Sequence, residues 1–250
     1  MPTRLDREAE FHDRAFGQDT RAPVWKYYEI QKHDTERYMS LLDRYGGGAV
    51  LEYGCGAGSA AYDLAHNGAR VVGIDISPVA IEQAAERAEQ AGVADRCEFR
   101  VMNAEQLDFP DDSFDLVCGS AILHHLDLEH AYPEIARTMR PGGHGVFIEP
   151  LGHNALINAF RNRTPQHRTP DEHPLLMADI ELARRYFGRL ELTHFHLATL
   201  AALPMRGRRG FDRLLSALDR VDRALFRAPA LRRQSWMVVV EIAEPRPTVS

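Results

Sequence analysis

Cysteine is scarce: 250 residues hold only Cys55, Cys97 and Cys118. None forms a CxxC pair, so neither a disulfide framework nor a thiolate metal site is expected, and the three read as small buried hydrophobes in a reducing compartment. No apolar run approaches the roughly 18 residues that a membrane span requires. The opening MPTRLDREAEFHDR is charged and lacks the apolar centre of a secretory signal, which gives a cytoplasmic expectation. Internal repeats, low-complexity tracts and linkers are also missing. A single soluble domain is expected, with 44% hydrophobic and 26% charged residues.

The net charge of −6 is unevenly spread. Residues 206–233 carry nine arginines against Asp212, Asp219 and Asp222, so the rest of the chain is strongly acidic. That balance argues against a nucleic-acid partner, whose footprint is normally a basic face on the whole domain.

What is present is an alternation of apolar runs and helical patterns. Residues 49–54, 70–76, 98–102, 114–120 and 144–149 read as strands. Between them, 78-PVAIEQAAERAEQAG-92 sets Ile81, Ala84, Ala85, Ala88 and Ala91 on one helical face, with Ser77 as N-cap, Pro78 opening the helix and Gly92 closing it. This rhythm predicts a parallel sheet covered by helices on both faces. Residues 1–46 read as a mostly helical cover containing Trp25, Tyr27 and Tyr28, and 47–150 as the core. The rhythm breaks at 151–177, rich in Pro, Arg, His and Asn, where an irregular lid is expected. From 178 to 250 a helix (178–187), a strand at 191–200 and a last strand at 235–243 are expected, the strands pairing antiparallel at the sheet edge.

The stretch 51-LEYGCGAGSAAYDLA-65 places Gly54, Gly56 and Gly58 between a strand and a helix. Backbone amides there can approach a ligand closely, and the helix N-terminus favours electron-rich groups. Asp75 closes the next strand, positioned to accept hydrogen bonds from ribose hydroxyls. A G-x-G-x-x-G dinucleotide loop would place glycine at position 59, which is Ser59.

The pattern Glu52-x-Gly54-x-Gly56-x-Gly58 resembles the first motif of the class I S-adenosylmethionine-dependent methyltransferases, of the small-molecule type 11/25-like group. The resemblance covers 49–150. VVGIDIS looks like the second motif, 101-VMNAEQLDFPDDSFDLV-117 like the adenine-side motif and fourth strand, and 121-AILHHLD-127 with 134-EIARTMRPGG-143 like the approach to the fifth strand. It implies a Rossmann-like α/β fold: seven strands, six parallel and one antiparallel, with helices on both faces. It also implies S-adenosylmethionine as methyl donor, S-adenosylhomocysteine as product, and a small-molecule acceptor. The cofactor-binding set it implies is Glu52, Gly54, Gly56, Gly58, Asp75, Ile76, Asn103, Ala104, Glu105 and Ser120. The family commonly has Asp where this chain has Asn103; a turn-forming role would suit that asparagine equally.

Methyl transfer from a sulfonium needs alignment and exclusion of water, plus a base when the acceptor must lose a proton. His124, His125 and Glu149 stand where the fourth and fifth strands end and are the candidate catalytic residues. Acceptor-facing candidates are Tyr27, Tyr28, His153, Asn154, Arg161 and Arg168. No metal ligand set is evident: His124, His125 and His130 do not form HExxH. The run 211-FDRLLSALDRVDRALFR-227 reads as an amphipathic helix with Phe211, Leu214, Leu215, Leu218, Val221 and Leu225 on one face. It packs on the domain, self-associates, or rests on an anionic membrane; the interspersed acids weaken the last reading. Transfer to oxygen or nitrogen is expected over carbon or sulfur. The alternatives are a lipid-like acceptor at a membrane surface, an NAD-dependent oxidoreductase, and a non-catalytic S-adenosylmethionine-binding protein.

Overall fold

A computed structural model describes residues 3–18, 30–58, 60–163 and 174–247. Seven strands form one sheet: β1 (Ala49–Tyr53), β2 (Arg70–Asp75), β3 (Cys97–Val101), β4 (Phe114–Ser120), β5 (Met139–Pro150), β6 (Phe187–Phe195) and β7 (Met237–Pro245). Their order is β3-β2-β1-β4-β5-β7-β6. The pairings through β3-β2-β1-β4-β5 are parallel, and β7 runs antiparallel to both β5 and β6. This is the arrangement the resemblance implies.

The strand period of two sorts the core into two layers. Leu51, Tyr53, Ile74, Val117, Phe147 and Val238 pack on one face, with Leu128, Ala131, Tyr132 and Ile135 of helix α5 (Leu128–Thr138). Val50, Val71, Cys118, Val146 and Val239 pack on the other. They meet Tyr38, Leu41 and Leu42 of α2 (Lys32–Tyr45), and Leu64 and Ala65 of α3 (Ala61–His66). Helix α4 (Pro78–Gln90) starts as its sequence predicts, with the Ser77 side chain accepting from Ala80 N–H and proline in the first turn. Helix α1 (Arg4–Gln18) crosses the carboxyl ends of the strands. The expected aromatic cover of Trp25, Tyr27 and Tyr28 lies outside the described residues.

Three local expectations are corrected. The stretch after residue 150 is not wholly irregular: Asn154 Oδ1 accepts from Leu156 and Ile157 N–H and starts helix α6 (Ala155–Arg163). The helix expected over 178–187 is shorter, α7 (Met177–Glu181) followed by one 3-10 turn, because the chain enters β6 at Phe187. The strand expected to reach residue 200 ends at Phe195, and Ala198–Met205 coils into a 3-10 helix. Asp222 of α8 (Phe211–Leu225) causes that coiling by accepting the N–H groups of Leu197, Ala198 and Thr199 and the Thr199 hydroxyl. Its inward face therefore differs from the apolar stripe: Leu215, Asp219 and Asp222 are buried, whereas Val221 is 45% exposed.

Candidate active site

The glycine loop leaves β1 with positive φ at Gly54, Gly56 and Gly58. A Cβ on Gly54 would lie 2.6 Å from Ile122 Cδ1, and one on Gly58 would lie 2.0 Å from the Tyr62 hydroxyl. Tyr62 in turn donates to the Ala57 and Ala84 carbonyls, so loop and neighbouring side chains are fitted to one another. Glu52, fully buried, accepts from Ala60 N–H at 2.8 Å and Ala61 N–H at 3.1 Å. Its carboxylate anchors the return of the loop into α3, where a negative charge meets the positive end of the helix.

Asp75 ends β2 beside this loop. One carboxylate oxygen accepts from Gly56 N–H and the other from Ser77 N–H, each at 2.9 Å. Each carboxylate oxygen has acceptor capacity for a further donor. Ile76 follows, half-buried. Asn103 Oδ1 accepts from Glu105 N–H at 3.0 Å, closing a turn beside the buried Ala104. The Glu105 carboxylate binds Arg4 and the Asp127 N–H, which ties the turn to the N-terminal helix. Arg137 supports the same loop, donating to the Leu107 and Phe109 carbonyls and pairing with Glu134 and Asp111. Burial pushes the Cys55 thiol far above its usual range, so it stays protonated among the glycines.

Ser120 is exposed at the end of β4, and Ala121 turns the chain with φ 54°. The loop then delivers two histidines with different partners. His124, 5% exposed, places Nδ1 2.8 Å from Glu149 Oε2. The other Glu149 oxygen accepts from Ile122 and Leu123 N–H, both at 2.8 Å, and the carboxylate is fully buried. The His125 ring lies 4.2 Å from that of His124, with its own Nδ1 3.3 Å from Glu8 Oε2.

Sequence reasoning missed the contribution of α1. Arg4 donates to the His125 carbonyl, Glu8 and His12 meet His125, and Asp13 accepts from the Ser77 hydroxyl. The helix thus touches the loops after β2, β3 and β4. The i,i+4 spacing of Glu8 and His12 was the available signal, but nothing in the sequence points it at His125.

The acceptor-facing candidates are less united. Asn154 is buried, its oxygen spent on α6 and its amide nitrogen on the Gln234 carbonyl, so it is a structural cap and not an acceptor-facing group. His153 Nε2 accepts from Met177 N–H, joining the end of β5 to α7. Arg161 lies half-buried on α6. Arg168, Tyr27 and Tyr28 fall outside the described residues.

Residues 51–147 match the family described as methyltransferase domain. Over that core the chain is similar to the class I S-adenosylmethionine-dependent methyltransferases, which favours that reading over a dinucleotide oxidoreductase. Among its relatives, 27-O-demethylrifamycin SV methyltransferase of Amycolatopsis mediterranei (strain S699) is 35% identical over 145 residues, 55% of this chain and 53% of the relative. Sterol 24-C-methyltransferase erg6 of Aspergillus fumigatus is 33% identical over 160 residues, 63% of this chain and 40% of the relative. The match spans about half or less of these relatives' own length. A solved structure, Haemonchus contortus phosphoethanolamine N-methyltransferase 2 with phosphomonomethylethanolamine and S-adenosylhomocysteine, superposes with TM-score 0.66. It covers 98% of this chain and 61% of that one at 20% identity, a likeness of fold.

Proposed function

We propose that the chain binds S-adenosylmethionine in the mouth formed by Gly54–Gly58, Asp75 and 103–105, and transfers its methyl group to an oxygen or nitrogen of a small-molecule acceptor. Asp75 holds the ribose hydroxyls and the glycine loop lines the amino-acid portion. The observation that carries the transfer step is the buried His124–Glu149 pair beside that mouth. With Nδ1–H donated to the carboxylate, Nε2 is the basic nitrogen of His124. It takes the proton of the acceptor as the new oxygen–carbon or nitrogen–carbon bond forms. The sulfur–methyl bond breaks in line, and its electron pair stays on the thioether product. Helix α6 would cover the acceptor, its Ile157 sharing one apolar cluster with Leu200 and Leu215.

The test is a screen of hydroxyl, amine and carbon-acid acceptors for formation of S-adenosylhomocysteine. Turnover with a hydroxyl or amine compound, lost in His124→Asn, supports the reading. Cofactor binding with no turnover on any class would favour a non-catalytic binding protein.

A second reading, a lipid-like acceptor at an anionic membrane surface, gains from one observation. Two of the three acids of α8, Asp219 and Asp222, are buried, while Arg213, Arg220, Arg223 and Arg227 are exposed. Arg223 pairs with Asp219, which leaves Arg213, Arg220 and Arg227 to make the outward face basic. No helix among the described residues is long and apolar enough to cross a membrane, so such contact would be peripheral. Salt-sensitive co-sedimentation with phosphatidylglycerol vesicles, and none with phosphatidylcholine, would support it.

A further inference from the structure

The loop after β4 and helix α1 bring together one carboxylate and two imidazoles that the transfer step does not use. Glu8 is 4% exposed, and His12 and His125 are half-buried. Glu8 Oε2 lies 3.5 Å from His12 Nε2 and 3.3 Å from His125 Nδ1, and the three atoms lie within 4.8 Å of one another. We propose that Glu8, His12 and His125 form a binding site for a divalent transition metal of the zinc class.

Three features carry this. The donor set is two nitrogens and one oxygen, the borderline chemistry that zinc and its neighbours prefer to magnesium or calcium. The spacing fits: two ligands at about 2.0–2.1 Å from a tetrahedral centre stand roughly 3.4 Å apart. The two contacts to Glu8 fall at that separation and exceed the roughly 2.7–2.9 Å of a charge-assisted hydrogen bond. The ligands also sit on anchored supports. Glu8 and His12 share one face of α1 at i,i+4 spacing, and Arg4 ties the same helix to the His125 carbonyl and to Glu105.

Three protein ligands leave a coordination position for water or for an oxygen of the acceptor. The metal would also fasten α1 across the mouth, since its ligands come from residues 8, 12 and 125. His124 and His125 then have separate work, the first held by Glu149 and the second by the metal. The site is independent of the methyl-transfer reading, because it can be measured without cofactor or acceptor.

The experiment uses untagged full-length protein, stripped with a chelator and titrated with zinc chloride, with metal content read after desalting. One zinc per chain is expected. Cobalt chloride on the same protein should give a visible d–d absorption band that zinc displaces. His12→Ala and Glu8→Gln should each weaken zinc binding by more than the roughly 10–100-fold that loss of an outer-sphere partner costs. S-adenosylhomocysteine binding to each variant, measured in parallel, reports whether it is folded. Substoichiometric zinc with no cobalt band in the wild-type protein overturns the proposal, as does unchanged zinc affinity in a folded His12→Ala variant. If a variant fails to fold, the wild-type stoichiometry and cobalt band decide the question.

Discussion

His124 Nδ1 and Glu149 Oε2 stand 2.8 Å apart in a buried pair, and the same carboxylate holds the two backbone amides at the start of the histidine loop. Ring orientation and loop conformation therefore depend on one side chain. Glu149→Gln keeps the volume but turns an N–H₂ toward one of the donors. The expected outcome is a loss in kcat of about 10²-fold or more, the scale of positioned acid–base catalysis, with S-adenosylhomocysteine affinity changed only a few-fold. Steady-state kinetics beside calorimetry checks this. Equal losses in kcat and cofactor affinity would make Glu149 a general scaffold residue.

Gly54 is strained for any residue with a Cβ, with φ 58° and Ile122 Cδ1 2.6 Å from the site of that carbon. Gly54→Ala should lower stability by about 1–3 kcal/mol, as overpacking does, and weaken cofactor binding. Adding Ile122→Ala should recover the steric part and leave the backbone part. Denaturant unfolding of the two variants and their combination separates these contributions.

The core of the fold was legible because its signals are local. Alternating apolar runs gave β1 to β5, the Ser77–Pro78 start gave α4, and the glycines with Asp75 gave the mouth for which cofactor binding is proposed. The His124–Glu149 pair was legible as two strand ends facing one mouth, although its hydrogen bond was not. What escaped depends on distant partners. Glu8 and His12 gain meaning only once α1 lies against a loop more than 110 positions away. Asp222 read only as one of the interspersed acids of 211–227, because the N–H groups it accepts belong to residues 197–199. Asn154 looked acceptor-facing because the start of α6 was hidden in a stretch without an apolar period.

Asp222 also yields a stability prediction. Its carboxylate satisfies three backbone N–H groups and one hydroxyl. Asp222→Ala leaves several of these unpaired in a buried place and should cost about 2–4 kcal/mol. Chemical denaturation measures it. A cost under about 0.5 kcal/mol would mean that water replaces the carboxylate easily.

A pH dependence follows from His194, whose pKa is pushed down to about 4, first by burial and then by the nearby charge of Arg232. An unfolded histidine titrates near 6.5. Between these values the unfolded chain binds the extra proton, so this group's contribution is fully present above about pH 6.5 and is lost as pH falls toward 4. After allowing for its partial exposure, the loss is about 1–2 kcal/mol. The difference in Tm between pH 7 and pH 5 should shrink in His194→Asn relative to the wild type. An unchanged difference would assign the acid sensitivity to other groups.

The central claim is that the mouth between the glycine loop and Asp75 receives S-adenosylmethionine. Calorimetric titration with S-adenosylhomocysteine tests it most directly. One site per chain is predicted, weakened in Asp75→Ala by about 1–3 kcal/mol, the cost of leaving buried ribose hydroxyls unpaired. Absence of binding to the wild-type protein, or an affinity indifferent to Asp75→Ala, would contradict the account.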